Sequence, residues 1–196
     1  MTRCAWCCDG GIVQRYHDEE WGVPLHDDRK HFEYLLMEAM QCGLNWTMML
    51  KKREIFRTCF ADFDYDRIAD FTEDDIAAIL ATPGMIRSRR KIEAVIGNAR
   101  GFQAIRRDYG SFDRYLWAFA DGKMHRYARH FSGAPEVTNP MSDRISRDLK
   151  RYGFRYLGSI TVFSHLQACG IINDHQPDCF RCPQVRALAA EDYVDE

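Results

Sequence analysis

Apolar side chains recur at helical spacing along most of the chain, and this pattern constrains the fold more than any other feature. In the clearest run, apolar residues lie three or four positions apart: Ile92, Val95, Ile96, Ala99, Phe102 and Ile105. Such spacing places side chains on one face of an α-helix. The run stops at Tyr109-Gly110, where glycine is a common C-terminal signal. The sequence therefore predicts an all-α fold.

Four further segments carry helix signals: Phe32–Ala39 after a cap at Asp27 or Asp28, Ile76–Leu80 after a capping box at Thr72, Ser142–Tyr152 before Gly153, and Ser159–Cys169 before Gly170. Alternation typical of a strand is sparse. The most β-like segment runs from Arg155 to Val162, although an apolar run of that length also fits a buried helix.

Composition and length indicate one ordinary globular domain, with 196 residues of which 46% are hydrophobic and 29% charged. The apolar runs are too short to span a bilayer, and residues Met1 to Asp9 lack a secretory pattern. We therefore expect a cytoplasmic protein with no membrane partner. The net charge of −2 argues against a diffuse basic surface, so local basic patches matter more.

A short Pro-Gly turn joins the second and third predicted helices at Leu80–Ile86. The next helix begins with four cations close to free backbone N–H groups: Arg87, Arg89, Arg90 and Lys91. That combination suits a phosphate group and is typical of helix-hairpin-helix DNA-binding proteins. The alternative is an ordinary connection between two helices with a solvated basic face.

Cysteine and histidine residues cluster at both ends of the chain: Cys4, Cys7, Cys8 and His17 near the start, and His175, Cys179 and Cys182 near the end. The cytosol keeps thiols reduced, so metal binding is expected in preference to disulfides. Zinc in a structural role takes four Cys or His ligands, and a site with ligands from both ends would join the termini.

Two ligand sets are open at this point. One is a four-cysteine site from Cys4, Cys7, Cys179 and Cys182, and the other is a mixed site that uses His17 and His175. The remaining alternative is a set of exposed thiols with unrelated histidines. No nearby motif such as H-E-x-x-H supplies a base, which argues against a catalytic zinc.

A series of motifs resembles the 3-methyladenine DNA glycosylase I family from Cys4 to about Cys179. The motifs occur in this order: Tyr16–Pro24, Glu38 with Gln41–Trp46, Leu50–Glu54, Ile86–Lys91 with Ile96–Arg100, and Gln167–His175. The resemblance implies an all-α helix-hairpin-helix glycosylase fold, with one domain over residues 1–180 and a C-terminal tail over 181–196.

The resemblance also implies one structural Zn²⁺ per chain, held by the mixed set Cys4, His17, His175 and Cys179. It further implies a base pocket built from Glu38, Tyr16 and Trp46, with Trp21 and Trp6 nearby. Leu44, beside Trp46, is the candidate for the residue that wedges into the vacated base stack. Arg87, Arg89 and Arg90 are expected to contact the DNA backbone.

The implied activity is excision of 3-methyladenine from damaged double-stranded DNA by hydrolysis of the N-glycosidic bond, which initiates base excision repair. The target base must be flipped out of the duplex, and N3 alkylation gives it a positive charge. Trp46 offers an aromatic face to that cation and Glu38 a carboxylate. The hairpin at Pro83–Ile86 has no lysine until Lys91, so a monofunctional enzyme is expected.

Several alternatives remain. Periodicity alone would place His31, Tyr34, Glu38 and Gln41 on a polar, solvated stripe. The chain departs from the usual family pattern at Asn45, where serine is common, and at Val13, where an aromatic residue is common. Other functions are excision of a different base, non-enzymatic recognition of damaged DNA, and a zinc protein with no nucleic-acid partner. No obligate protein partner is indicated.

Overall fold

The protein is described by a computed structural model that covers residues 1–7, 10–132, 136–189 and 192–195. These residues form ten α-helices: α1 Gly11–Glu19, α2 Asp28–Gln41, α3 Trp46–Cys59, α4 Tyr65–Ala69, α5 Glu73–Ala81, α6 Arg89–Tyr109, α7 Phe112–Ala118, α8 Pro140–Arg151, α9 Ser159–Ala168 and α10 Arg181–Ala189. The predicted helical architecture is confirmed. One small addition was not predicted, a parallel pair of three-residue strands, β1 (Met124–Arg126) and β2 (Tyr193–Asp195).

Side-chain caps fix the starts of several helices. Asp27 accepts a hydrogen bond from the backbone N–H of Lys30, which begins α2 one residue later. Thr72 and Asp75 form the predicted capping box of α5. Helix α8 begins at Pro140, earlier than predicted, because the preceding Asn139 caps it and proline suits the first helical position.

The segment from Arg155 to Val162 is not a strand. Residues 155–158 are irregular, and residues 159–162 form the first turn of α9. The side chain of Asn98 explains this, because its amide donates to the Arg155 carbonyl (3.1 Å) and accepts from the Arg155 N–H (2.8 Å). Those are the two backbone groups that a neighbouring strand would need.

Helix α6 lies at the centre of the fold and packs against α2, α4, α5 and α7. Its Phe102 ring stacks on Phe112 of α7 with 4.3 Å between ring centroids, and it meets Phe32 of α2 edge-on at 5.4 Å. Helix α2 is covered on another side by α9. Both long faces of α2 are therefore enclosed, which determines the surroundings of its polar residues.

The loop after α1 packs closely against the end of α9. Gly22 donates to the Ala168 carbonyl and Leu25 to the Cys169 carbonyl. A Cβ atom at Gly170, where φ is +77°, would lie 2.5 Å from the nitrogen of Pro24. Only glycine fits that approach, and it brings the first and last thirds of the chain together. Among the described residues, no helix has the length and apolar composition needed to cross a membrane.

Candidate functional site

The aromatic and acidic residues predicted to bind a base line one cavity of about 390 Å³. They are Trp6, Tyr16, Trp21, Glu38 and Trp46. Helices α1, α2 and α3 supply Tyr16, Glu38 and Trp46, and the chain on either side of α1 supplies the other two tryptophans. Residues distant in sequence thus form a concave surface of the size that a planar heterocycle requires.

The aromatic rings form two neighbouring pairs. Tyr16 and Trp46 have ring centroids 5.5 Å apart, and Trp6 meets Trp21 edge-on at 5.0 Å. Tyr16 and Trp21 are buried, whereas Trp6 is 46% exposed and lies at the mouth. The indole nitrogen of Trp46 is buried and has no hydrogen-bond partner among the described residues. The walls therefore offer ring faces and one free donor to a ligand.

Glu38 is buried at 3% exposure, so the solvated stripe suggested by periodicity is wrong. His31 and Tyr34, on the same stripe, are buried as well. Burial raises the pKa of Glu38 well above its usual value. Its Oε2 atom has no hydrogen-bond partner within the described part of the chain. A buried acceptor of this kind favours a ligand that brings donors or positive charge.

The cavity lining also includes polar residues to which the sequence assigned no role. His130 Nδ1 lies 2.8 Å from Asp174 Oδ1, and Gln167 donates to the other oxygen of Asp174 at 2.5 Å. Glu136 is also at the wall, 3.3 Å from His130 Nε2. Gln167 and Asp174 belong to the motif Gln167–His175, so the sequence carried a signal for these two lining residues. The sequence carried no such signal for His130 and Glu136, because they follow no helical pattern.

Leu44 and Asn45 lie in the turn between α2 and α3, next in sequence to the lining residue Trp46. Leu44 is 39% exposed, and Gly43 before it has a φ of +79°. The Asn45 side chain accepts a hydrogen bond from the Met48 N–H at 2.8 Å and caps α3. The departure from serine at this position therefore keeps the cap that fixes the start of α3 at Trp46.

Four buried ligand atoms from the two ends of the chain meet in a second site, formed by Cys4, His17, His175 and Cys179. Cys179 Sγ lies 3.5 Å from His17 Nε2 and 3.7 Å from His175 Nδ1. Cys4 Sγ lies 3.7 Å from the same His175 nitrogen. Tetrahedral zinc with its usual bond lengths places S and N ligands about 3.6 Å apart, so these residues fit that ion.

Hydrogen bonds on the far side of each imidazole orient the ring toward the sulfurs. His17 Nδ1 lies 2.8 Å from Asp18 Oδ1, and His175 Nε2 lies 3.0 Å from the Trp21 carbonyl. Burial lowers the pKa of His175 to about 4, so its imidazole is neutral, the form that coordinates metals. At Gly22 a Cβ atom would come within 2.9 Å of His175 Nε2, which explains the glycine in this motif.

The alternative cysteines have other surroundings. Cys7 is buried, and its thiol donates to the Cys4 carbonyl at 3.1 Å. Cys182 is half-buried, and neither residue belongs to the four-membered cluster. Cys8 lies outside the described residues. The arrangement of the described ligand atoms therefore matches the mixed set and not the four-cysteine set.

The turn between α5 and α6 contains Gly84 at a φ of +80°, and its carbonyl accepts from Lys52. Arg87 and Arg90 are exposed and have no ion pair within the described ranges. Arg89 is also exposed, but it pairs with Glu73 and with Glu93, the latter at 2.7 Å. The three predicted DNA-contact arginines are thus all exposed, but only Arg89 is held in ion pairs.

Lys91 is not part of that surface. Its Nζ atom donates to the backbone carbonyls of Met40 (2.7 Å) and Cys42 (2.6 Å), at the end of α2, and the residue is buried. The expectation of four cations facing a phosphate is therefore wrong for this residue. Lys91 instead satisfies two carbonyls that the helix leaves without a partner.

Comparison with known proteins places this geometry in a family. The methyladenine glycosylase family profile matches residues 6–182. DNA-3-methyladenine glycosylase 1 of Escherichia coli strain K12 is 39% identical over 91% of this chain and 96% of its own length. DNA-3-methyladenine glycosylase of Haemophilus influenzae is 37% identical with the same coverage.

A solved structure gives the same result. A variant of 3-methyladenine DNA glycosylase I in complex with 3-methyladenine superposes with a TM-score of 0.87 and 35% identity, over 93% of this chain and 98% of that one. The chain belongs to the methyladenine glycosylase family.

Proposed function

We propose that this protein is a DNA glycosylase that excises 3-methyladenine from alkylated DNA and thereby initiates base excision repair. The observation that carries the proposal is the buried Glu38 carboxyl, whose Oε2 makes no hydrogen bond to a described residue, in an aromatic cavity of a methyladenine glycosylase. Homologues of this chain are named for the same reaction. The reaction is hydrolysis of an N-glycosidic bond, which makes the protein a hydrolase.

The cavity suits a cationic base that has left the duplex. N3 alkylation gives adenine a delocalised positive charge, and the faces of Trp46 and Tyr16 attract such a charge by about 0.5 to 2 kcal/mol as water leaves. The Glu38 Oε2 atom would accept from the exocyclic amino group of the base. Undamaged adenine lacks the positive charge and gains less from both groups, so the pocket would select the lesion.

Selective capture then accounts for most of the rate. Alkylation has already weakened the glycosidic bond, so the enzyme has to flip the base, hold it and admit water. Leu44, exposed in the turn before α3, would fill the gap in the stack. Lys91 donates to two backbone carbonyls and is not among the residues that line the cavity, which supports a mechanism without a lysine nucleophile. The enzyme would therefore be monofunctional, leaving an abasic site in an uncut strand.

The DNA partner would be held by the α5–α6 connection in the manner of a helix-hairpin-helix motif. Exposed Arg87 and Arg90, and Arg89 once its acidic partners yield, lie beside the start of α6, where free N–H groups also favour phosphate. Damaged double-stranded DNA is the partner that fits. This connection and the cavity would share one domain over residues 1–180, and residues 181–196 would be a C-terminal tail that packs back on that domain through α10 and β2.

We assign the cluster of Cys4, His17, His175 and Cys179 to one structural zinc ion. The support is the chemistry of the four buried donors, their separations and the hydrogen bonds that orient both imidazoles. When bound, the ion would hold the two ends of the chain together. All four positions are supplied by the protein, so no coordination position would remain for substrate.

The deciding experiment is the release of bases from methylated duplex DNA, separated by chromatography. We expect free 3-methyladenine to appear, the strand to stay intact, and cleavage to follow only after alkali. Release of a different base from a panel of single-lesion duplexes would show that the substrate is a lesion other than 3-methyladenine. Binding of lesion DNA without any base release would leave a recognition module in place of an enzyme.

A further inference from the structure

A line of titratable side chains leads from the base cavity to exposed His26. Glu38 Oε2 lies 3.4 Å from His165 Nδ1, and His165 Nε2 lies 3.3 Å from His31 Nδ1. His31 Nε2 lies 3.5 Å from Asp113 Oδ1, which is 3.0 Å from His26 Nδ1. Glu38, His165 and His31 are buried, whereas the side chain of His26 is 59% exposed. The line therefore joins the cavity to solvent through the protein interior.

Three helices hold this line in place. His31 and Glu38 are seven residues apart on α2 and share a face, which packs against α9 and its His165. The carboxylate of Asp28 accepts from the backbone N–H groups of Phe112 and Asp113 at 3.1 and 2.9 Å, which fixes the start of α7. The contacts thus depend on the packing of regular elements and not on a loop.

The hydrogens along the line can be assigned from its surface end. Ionised Asp113 only accepts, so His31 must carry its proton on Nε2, and neutral His31 then accepts at Nδ1. His165 must therefore donate from Nε2 and accept at Nδ1. The group facing that Nδ1 is Glu38, which satisfies it only as a protonated carboxyl. In this conformation Glu38 Oε2, His165 Nδ1 and His31 Nε2 are buried and make no hydrogen bond to a described residue, so the 3.4 and 3.5 Å separations are contacts that have to shorten before a proton can pass.

The surroundings agree with these assignments. Burial raises the pKa of Glu38, lowers the pKa of His165 to about 3 and lowers the pKa of His31, so burial favours the neutral form of all three. Burial alone would raise the pKa of Asp113, but hydrogen bonds from His31 and His26 hold it below its usual value.

Other titratable groups facing the line do not change the assignment. Tyr16 and Cys169 face Glu38, and burial raises the pKa of each, so both are neutral. Asp28 faces His31 and, like Asp113, favours a proton on that ring.

We infer that this line is a reversible proton chain, which keeps Glu38 protonated in the empty cavity and ionises it when a cationic base enters. The inference rests on the proposed function. The Glu38 O–H bond breaks as an N–H bond forms at His165 Nδ1. The His165 Nε2 proton moves to His31 Nδ1, and the His31 Nε2 proton moves to Asp113, where water and His26 exchange it with solvent.

The proton transfer leaves the ionised Glu38 carboxylate with a hydrogen-bond donor. Both histidines stay neutral, but each changes from the Nε2–H to the Nδ1–H tautomer. His165 Nδ1–H then donates to the Glu38 anion. A carboxylate that accepts such a bond is stabilised in the interior, where an unpaired charge is costly. His165 is therefore a positioning residue that supplies an acceptor to the neutral acid and a donor to the anion.

A metal is the competing explanation, because ligand atoms of His31, His165 and Cys169 also lie within 4.8 Å of one another. The Cys169 thiol instead donates to the Leu166 carbonyl at 3.7 Å, and burial raises its pKa and keeps it protonated. The outer nitrogens of both histidines face carboxyl groups, which suits a chain of hydrogen bonds. The proton chain therefore explains more of the contacts.

The test follows the imidazole tautomers by nitrogen NMR in protein with labelled histidine. The probe is a duplex whose cationic N3-methyladenine is protected from hydrolysis by a 2′-fluoro sugar, and the comparison duplex carries its neutral 3-deaza analogue. We expect His31 and His165 to change from the Nε2–H to the Nδ1–H form with the cationic base only. Binding of the cationic duplex with unchanged tautomers would overturn the chain.

Two variants, His165→Phe and His31→Leu, test the energetic role. Each should weaken binding of the cationic duplex about tenfold, the loss expected for one hydrogen bond to a charged group, and spare the neutral duplex. The double variant should lose no more than either alone, whereas a packing role would give additive losses for both duplexes. His125→Gln, away from the line, should match the parent.

Zinc content completes the experiment. We expect one equivalent of zinc per chain in the parent and in His31→Leu. A second equivalent of zinc in the parent that is absent from His31→Leu would show a metal site in place of the proton chain. Failure of the proposed function would look different, since the parent would then release no 3-methyladenine and would not distinguish the two duplexes.

Discussion

Arg53 and Glu20 form a bidentate ion pair, with Nη1 2.7 Å from Oε1 and Nη2 2.7 Å from Oε2. The same guanidinium pairs with Glu33, and Tyr34 donates to Glu20 at 3.0 Å. These contacts connect α3, α2 and the end of α1, the three helices that carry the main cavity residues. The pair therefore sets the relative positions of Tyr16, Glu38 and Trp46 without touching a ligand.

Replacement of Glu20 by Gln should destabilise the protein by about 2 kcal/mol at pH 7, because Arg53 loses one of two anionic partners in a partly buried site. Burial raises the pKa of Glu20, but Arg53 and Lys30 outweigh this and bring it to about 2. Denaturant unfolding at several pH values measures the effect.

The sign of the pH dependence follows from that shift. The folded pKa of about 2 lies below the unfolded value of 4.5, so the stabilisation is complete above about pH 4.5 and is lost as the pH falls toward 2. The gap between the parent and Glu20→Gln should therefore narrow below pH 4.5. Glu54→Gln, in an exposed pair with Arg57, should change stability little at any pH. A gap that stays constant down to pH 3 would contradict the assignment.

Replacement of Glu38 by Gln should keep the fold and the zinc content but lose much of the preference for the cationic lesion. Gln retains one carbonyl acceptor and the side-chain length but removes the negative charge. A charge-assisted hydrogen bond is worth roughly 1.5 to 3 kcal/mol against about 1 for a neutral one, so single-turnover excision should fall about tenfold or more.

Two further variants define the result at the cavity. Trp46→Ala should add to the loss by removing a ring face, whereas Glu19→Gln, at the end of α1 and away from the cavity lining, should excise at the parent rate. A folded, zinc-replete Glu38→Gln that excises 3-methyladenine as fast as the parent would remove Glu38 from the pocket chemistry.

Local chemistry explains which parts of the fold could be predicted from the sequence. The starts of α2 and α5 depend on caps at Asp27 and Thr72, whose partners lie three residues ahead. The end of α6 depends on Gly110, which has a φ of +87°. Such signals are complete within one turn of chain and can therefore be read without the tertiary structure.

The incorrect sequence predictions have the opposite cause, because they concern residues whose structural partners are distant in sequence. Periodicity finds the polar stripe of α2 but not the helices that cover it, so the burial of His31 and Glu38 could not be read. The irregular conformation at Arg155 depends on Asn98, which lies 57 residues earlier. At the candidate site, family motifs identified the aromatic wall, but nothing in the chain's pattern pointed to His165.

Neutralising the arginines at the α5–α6 connection should weaken DNA binding for every sequence and leave lesion choice unchanged. Each phosphate contact that is lost should reduce the slope of log affinity against log salt by about 1. Arg87→Ala and Arg90→Ala should show the full change. Arg89→Ala should show less, because that side chain must first leave Glu73 and Glu93. Lys123→Ala serves as the control, and parental slopes in all three arginine variants would place the DNA elsewhere.

The zinc assignment predicts one equivalent of metal per chain in protein purified without chelator. Cys179→Ser should lose the metal and destabilise the whole fold, because the ion is coupled to folding through both ends of the chain. Replacing Cys7, Cys8 and Cys182 together by Ser should leave the zinc content unchanged. Elemental analysis and thermal unfolding of the same samples measure both effects.

The comparison of these two variants separates metal binding from packing. Cys7 is as buried as Cys4, so its replacement also disturbs the interior and provides a matched control for the structural cost of a serine. If the fold depends on the ion, a chelator should lower the melting temperature of the triple variant as much as that of the parent. The chelator should not lower the melting temperature of Cys179→Ser any further. Loss of zinc from the triple variant, with zinc retained in Cys179→Ser, would require a ligand set different from the four residues assigned.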